Sequence, residues 1–221
     1  MEAVLPIPDE EFYQPTFSPW NGYGEFRGIH EHASRTSLVT AERCYVLYCL
    51  AKQAIHLPGE FWECGVYKGG TASLLAEILF RQNRSPLRLF DTFSGMPATD
   101  AGQDVHGEGD FADTSVGAVR AQVGHDELVT YHKGFIPDTF KGLEKSAICF
   151  AHIDVDIHRS VLDCCGFIYP RLVKGGFMIF DDYGFASCPG ARSAVDQFFQ
   201  GTGVVPLVLS NGHAIVFKSF P

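Results

Sequence analysis

The 221-residue sequence predicts a doubly wound α/β fold, a mainly parallel sheet that ends in an antiparallel hairpin. Three observations support this. Apolar runs of strand length alternate with amphipathic helical stretches between residues 60 and 199. A Gly-containing turn, Gly65 to Gly70, joins the first of these runs to the first of these helices. The tail then breaks the alternation: residues 204–209 and 213–218 are two strand-like runs around Ser210-Asn211-Gly212, and an Asn-Gly pair suits a two-residue hairpin connection.

Taken in order, residues 1–36 are rich in Pro, Gly and aromatics (Phe12, Tyr13, Phe17, Trp20, Tyr23, Phe26) and hold no sustained period. They are expected to form an irregular arm that acts as a lid, an oligomer contact or a plug at the edge of the core, ahead of a domain spanning 37–221. From Ser37 the pattern turns helical. Leu38, Ala41, Tyr45, Tyr48 and Lys52 form one stripe, Val39, Val46, Leu47, Leu50 and Ala54 lie beside it, and Pro58-Gly59 ends the run. Strands follow at 60–64, 87–90, 128–132, 148–153 and 177–180, which with the hairpin make seven. Helices are expected at 70–81, 115–123, 158–172 and 190–199, with a short one near 137–143.

With 46% apolar residues the chain can bury one sizeable core. A formal charge of −9 without a Lys/Arg patch argues against a nucleic-acid or anionic-membrane binder and favours a small-molecule partner. The seven cysteines are odd in number, form no Cys-x-x-Cys and fall mostly in apolar segments, so they are expected to be reduced core residues. The opening residues lack the basic flank and apolar stretch of a secretory leader, and no later segment is long and apolar enough to span a bilayer; a cytoplasmic protein is expected.

Four groups of residues point to chemistry. Glu63-x-Gly65-x-Tyr67-x-Gly69-Gly70 lies between strand and helix, where glycines permit a tight turn and close approach of a ligand to backbone amides. It is not the dinucleotide fingerprint Gly-x-Gly-x-x-Gly; its spacing resembles the acidic loop that holds the methionine end of S-adenosylmethionine, although a plain strand-to-helix turn uses similar glycines. Asp91 ends the second strand, the position from which a carboxylate accepts both ribose hydroxyls of a nucleoside; capping of the turn at Thr92 and Ser94 is the alternative. Asp154-Val155-Asp156 and Asp181-Asp182-Tyr183 each close an apolar run. Four carboxylates gathered at strand ends disfavour one another's charge unless a cation, protonation or solvent relieves them, and the oxygen-only set of Asp154, Asp181 and Asp182 suits Mg²⁺. Helix capping accounts for one Asp in each cluster but not for four. Finally, His158 follows Asp156 by two and opens the next helix. His106 and His132 are lesser candidates, and His213 reads as structural.

The segments Gly59-Glu60-Phe61-Trp62-Glu63-Cys64-Gly65-Val66-Tyr67-Lys68-Gly69-Gly70, Asp91-Thr92-Phe93-Ser94-Gly95-Met96-Pro97, Asp113-Thr114-Ser115, Gly134-Phe135-Ile136-Pro137, Ile153-Asp154-Val155-Asp156, Asp181-Asp182-Tyr183 and Gly190-Ala191-Arg192 stand in this order. From about Arg35 onward the chain thereby resembles the macrocin-type sugar O-methyltransferases. Like their Rossmann-like class I methyltransferase fold, the sheet read here has seven strands, a terminal hairpin and helices on both faces. The resemblance implies that Asp154, Asp181 and Asp182 hold Mg²⁺, that Asp156 is the general base on a sugar hydroxyl, and that Glu63, Gly65, Asp91 and Ser115 contact S-adenosylmethionine, with Tyr67 and Gly69 in the same loop. Where the family commonly has a Tyr followed by an acidic-Ser-Thr run, this chain has His158-Arg159-Ser160-Val161, which leaves the base role open between Asp156 and His158. A homo-oligomer is expected. Other readings are the same chemistry on a catechol or other vicinal diol, a metal-dependent phosphatase or glycosyltransferase sharing an Asp-x-Asp, and a cofactor binder without turnover. The phosphatase and glycosyltransferase leave residues 63–70 unexplained, and a pure binder leaves the four carboxylates without a use.

Overall fold

The computed structural model describes residues 17–84 and 86–219; Phe12 and Tyr13 of the expected arm lie outside the described residues. A 3-10 turn at Pro19–Asn21 precedes α1 (Phe26–Ala33) and α2 (Ala41–Ala54). Strand and helix then alternate through β1 (Glu60–Cys64), α3 (Gly70–Arg81), β2 (Leu87–Asp91), α4 (Val116–Val123), β3 (Val129–Lys133), β4 (Ile148–Ile153), α5 (His158–Ile168), β5 (Leu172–Phe180), α6 (Pro189–Phe199), β6 (Leu207–Val208) and β7 (Ala214–Phe217). The seven strands form one sheet in the order β3-β2-β1-β4-β5-β7-β6. The first five are mutually parallel, and β7 runs antiparallel to β5 and β6. The predicted fold class is the one observed.

Both faces of the sheet are covered, and this follows from the alternation of side chains along buried parallel strands. Phe61 of β1 packs into one core with Phe26 and Ile29 of α1, Leu47 of α2, Leu74 of α3 and Val119 of α4. Its neighbours Trp62 and Cys64 enter the opposite core with Val161 and Cys164 of α5 and Ala194 of α6. The seven cysteines are free thiols, and six of them are buried.

Four local departures from the sequence reading have physical causes. Residues 26–33 form a helix inside the expected irregular arm, with Phe26, Ile29 and Ala33 on its buried stripe. The helix expected from Ser37 starts at Ala41, because residues 36–39 lie against the first turn of α3: a Cβ on Gly70 would fall 2.4 Å from Ser37 Cβ. The helix expected to reach residue 172 ends at Ile168, since Pro170 has no N–H to extend the ladder; a 3-10 turn at Tyr169–Arg171 follows, and β5 begins at once. The hairpin connection is five residues, 209–213, rather than two. Leu209 N–H donates to His213 O at 2.8 Å, and Gly212 takes φ +100°, as a turn that ends in a left-handed residue requires.

Candidate active site

A cleft of about 320 Å³ opens over the carboxyl ends of β1, β2, β4 and β5. In this strand order β1 is flanked by β2 and β4, so the chain's direction of winding reverses there, which is where open α/β sheets bind ligands. Gly65 lines the cleft at φ +84°, and a Cβ on it would lie 1.6 Å from the carbonyl oxygen of Asp154, so the first loop can cross the end of β4 only as glycine. Asp91 braces this loop: Oδ2 accepts Val66 N–H at 2.7 Å and Tyr67 N–H at 3.1 Å, while Oδ1 accepts Phe93 N–H at 2.6 Å. Asp91 therefore both caps its own turn and lines the cleft. Tyr67 lines it too, with its hydroxyl donating to Asp113 Oδ1 at 2.9 Å.

Beside this loop sits the acidic centre. Asp154, just after β4, and Asp181 and Asp182, just after β5, bring carboxylate oxygens within 4.8 Å of one another because neighbouring parallel strands end at the same level. Burial, reinforced by the charges of Asp181 and Asp182, holds the Asp154 carboxyl well above its ordinary range. Burial and the charges of Asp156 and Asp181 do the same to Asp182. The three residues expected to hold Mg²⁺ are thus brought together, and an oxygen-only set is the kind a hard divalent cation takes. Asp156 also faces the cleft. Its backbone takes φ +58°, its N–H donates to Asp182 Oδ2 at 3.1 Å, and burial raises its carboxyl.

Asp181 differs from its two neighbours. His213 Nε2 donates to its Oδ1 at 2.8 Å, His152 Nε2 lies 3.4 Å from the same oxygen, and Arg43 of α2 pairs with its Oδ2. Burial alone would raise this carboxyl, but the hydrogen bonds from His152 and His213 hold it below the usual range. His152 Nδ1 in turn donates to Glu63 Oε1 at 2.8 Å. Burial alone would lower the His152 imidazole; its bonds to Asp181 and Glu63 raise it well above normal.

Four expected site residues lie elsewhere. Glu63 is fully buried on the α2-covered face, bound to His152, and does not reach the cleft, because Trp62 and Cys64 take the other face of β1. Gly69, at φ +81°, caps α3 and abuts Val119 and Val123 of α4. Ser115 is exposed and caps α4, accepting Ala118 N–H at 3.3 Å. His158 points away, its Nε2 3.1 Å from Gln197 Oε1 of α6. In its place the cleft receives His106, from the loop between β2 and α4. Arg43, His152 and His213 were missed as supports of Asp181; the available signal was a charged or polar side chain interrupting an otherwise apolar stripe or strand.

A sheet of this order with a glycine turn and an aspartate cluster over its switch point defines a class I methyltransferase architecture. The chain belongs to the macrocin-O-methyltransferase (TylF) family, whose model matches residues 36–217. The 8-demethyl-8-(2,3-dimethoxy-alpha-L-rhamnosyl)-tetracenomycin-C 4'-O-methyltransferase of Streptomyces olivaceus is 28% identical over 155 residues, covering 64% of this chain and 58% of that protein. The demethyldecarbamoylnovobiocin O-methyltransferase of Streptomyces niveus is 28% identical over 158 residues, covering 65% and 59%. The chain thus spans about three fifths of the length of these curated relatives. Among solved structures, the O-methyltransferase NovP superposes with a TM-score of 0.75 at 22% identity, covering 84% of this chain and 83% of that one, a likeness of fold.

Proposed function

We propose that the chain transfers a methyl group from S-adenosylmethionine to a hydroxyl of a sugar or glycosylated natural product, with Mg²⁺ held by Asp154, Asp181 and Asp182. The observation that carries this reading is that one cleft is lined both by the glycine loop with Asp91 and by three convergent carboxylates. The family match supports methyl transfer, and a relative whose name specifies a rhamnosyl 4'-oxygen supports a sugar acceptor.

In this reading Gly65, Tyr67 and Asp91 seat the donor, with the Asp91 carboxylate as acceptor for the ribose hydroxyls. The cation, when bound, supplies the Lewis-acid polarisation that makes a neighbouring hydroxyl more acidic. Asp156 takes the hydroxyl proton as the oxygen–carbon bond forms and the carbon–sulfur bond breaks. Burial raises its carboxyl, the direction that makes it a stronger base than a free aspartate, and a general base contributes about 10²–10⁴ in rate. Arg43, His152 and His213 fix Asp181 so that its oxygens do not have to be ordered during turnover.

Asp182→Ala is expected to abolish methyl transfer while calorimetry shows S-adenosylhomocysteine bound within a few-fold of normal. Collapse of that affinity would contradict the separate roles given to the donor-seating and cation-holding residues. Mass spectrometry of products from a panel of glycosides and phenols distinguishes a sugar acceptor from a catechol.

A further inference from the structure

His106, Asp156 and Cys188 come from three separate places in the chain: the loop between β2 and α4, the turn after β4, and the residue that caps α6. They bring a nitrogen, an oxygen and a sulfur within 4.8 Å of one another, and all three line the cleft. The Cys188 thiol donates to Asp156 Oδ1 at 3.4 Å, and His106 Nε2 lies 3.9 Å from that same oxygen. His106 Nδ1 is 3.1 Å from Asp110 Oδ2, which leaves Nε2 turned toward Asp156. A carboxylate behind the remote ring nitrogen is the usual way a metal-binding histidine is oriented.

The donor set matters. Asp154, Asp181 and Asp182 offer only oxygen, whereas this trio adds imidazole and sulfur, which favour a borderline-soft ion over a hard one. We propose that His106, Asp156 and Cys188 form a second cation site in the cleft, selective for an ion of the Zn²⁺ type over Mg²⁺, with its fourth position open to the cleft. The thiol proton leaves to solvent as the ion enters, since the thiolate is the ligand. Because Asp156 belongs to this trio, an ion held here occupies the carboxylate assigned above as the base, a consequence that rests on that assignment, as the binding itself does not.

Cobalt(II) added to the metal-free protein is the probe, read as thiolate-to-metal charge-transfer absorption in the near ultraviolet. One equivalent is expected to develop the band, excess Mg²⁺ to leave it in place, and Cys188→Ser to abolish it. His106→Gln, on an accessible loop, is expected to weaken Zn²⁺ binding by at least about tenfold in calorimetry. Circular dichroism establishes that each variant is folded. No band in the wild-type protein, a band undiminished in folded Cys188→Ser, or unchanged Zn²⁺ affinity in His106→Gln overturns the proposal; the last measurement decides it if Cys188→Ser fails to fold.

Discussion

His158 and Asp156 are two residues apart in sequence yet face different surroundings, because the left-handed backbone at Asp156 turns the chain just before α5 begins. Asp156→Asn is therefore expected to slow the chemical step by about 10²–10⁴, and His158→Gln by less than about tenfold, in single-turnover assays. The acidic centre sets the sign of a pH effect. Asp154 and Asp182 hold their protons more tightly folded than unfolded, so above about pH 4 the unfolded chain sheds protons that the native state keeps. Without divalent cation, stability should therefore fall as pH rises from about 4 toward neutrality, and Mg²⁺ should reverse the fall in thermal melts. Asp181 has the opposite sign, and its stabilisation is lost only in more acidic solution. The acidic pairs were legible because carboxylates at strand ends stand out in apolar sequence. Arg43, His152 and His213 were not, since their link to Asp181 spans up to 138 positions and only the sheet order brings them together.

The same contrast holds for whole elements. Strands β4 and the end of β5 were legible because buried parallel strands are short apolar runs, and α3 because twelve residues display a full helical stripe. Helix α1 was obscured by its eight-residue length and by Gly28 among charged and polar neighbours, too little sequence for the spacing of Phe26, Ile29 and Ala33 to register as a period. Tertiary burial supplies what local propensity lacks: Phe26 has no exposed surface and packs edge-on against Tyr45 and at a tilt against Tyr48 of α2. Phe26→Ala is expected to cost about 3–5 kcal/mol in denaturant unfolding, a loss appropriate to a core residue and not to a surface arm. Gly69 and Ser115, read as donor contacts, are the residues that start α3 and α4. A residue that opens a helix and one that touches a ligand at that helix share the same sequence position, so the motif alone did not separate them.

For the molecule as a whole, the cleft lies at the switch point, and the described residues include no helix long and apolar enough to cross a membrane. If that cleft seats the adenosyl donor, S-adenosylhomocysteine at about 100 times its Kd should stabilise the native state by about 2.7 kcal/mol, a rise of roughly 5–10 °C in Tm. A nucleotide sugar or inorganic phosphate producing the rise instead would favour the glycosyltransferase or phosphatase reading. His213 sits where the terminal hairpin turns into β7, yet it bonds Asp181 in company with Arg43 from the second helix. Arg43 and His213 stand 170 positions apart, so the acidic centre cannot be completed during synthesis until the hairpin has followed the whole sheet, and a truncation before His213 strips a partner from that centre while leaving the glycine loop intact.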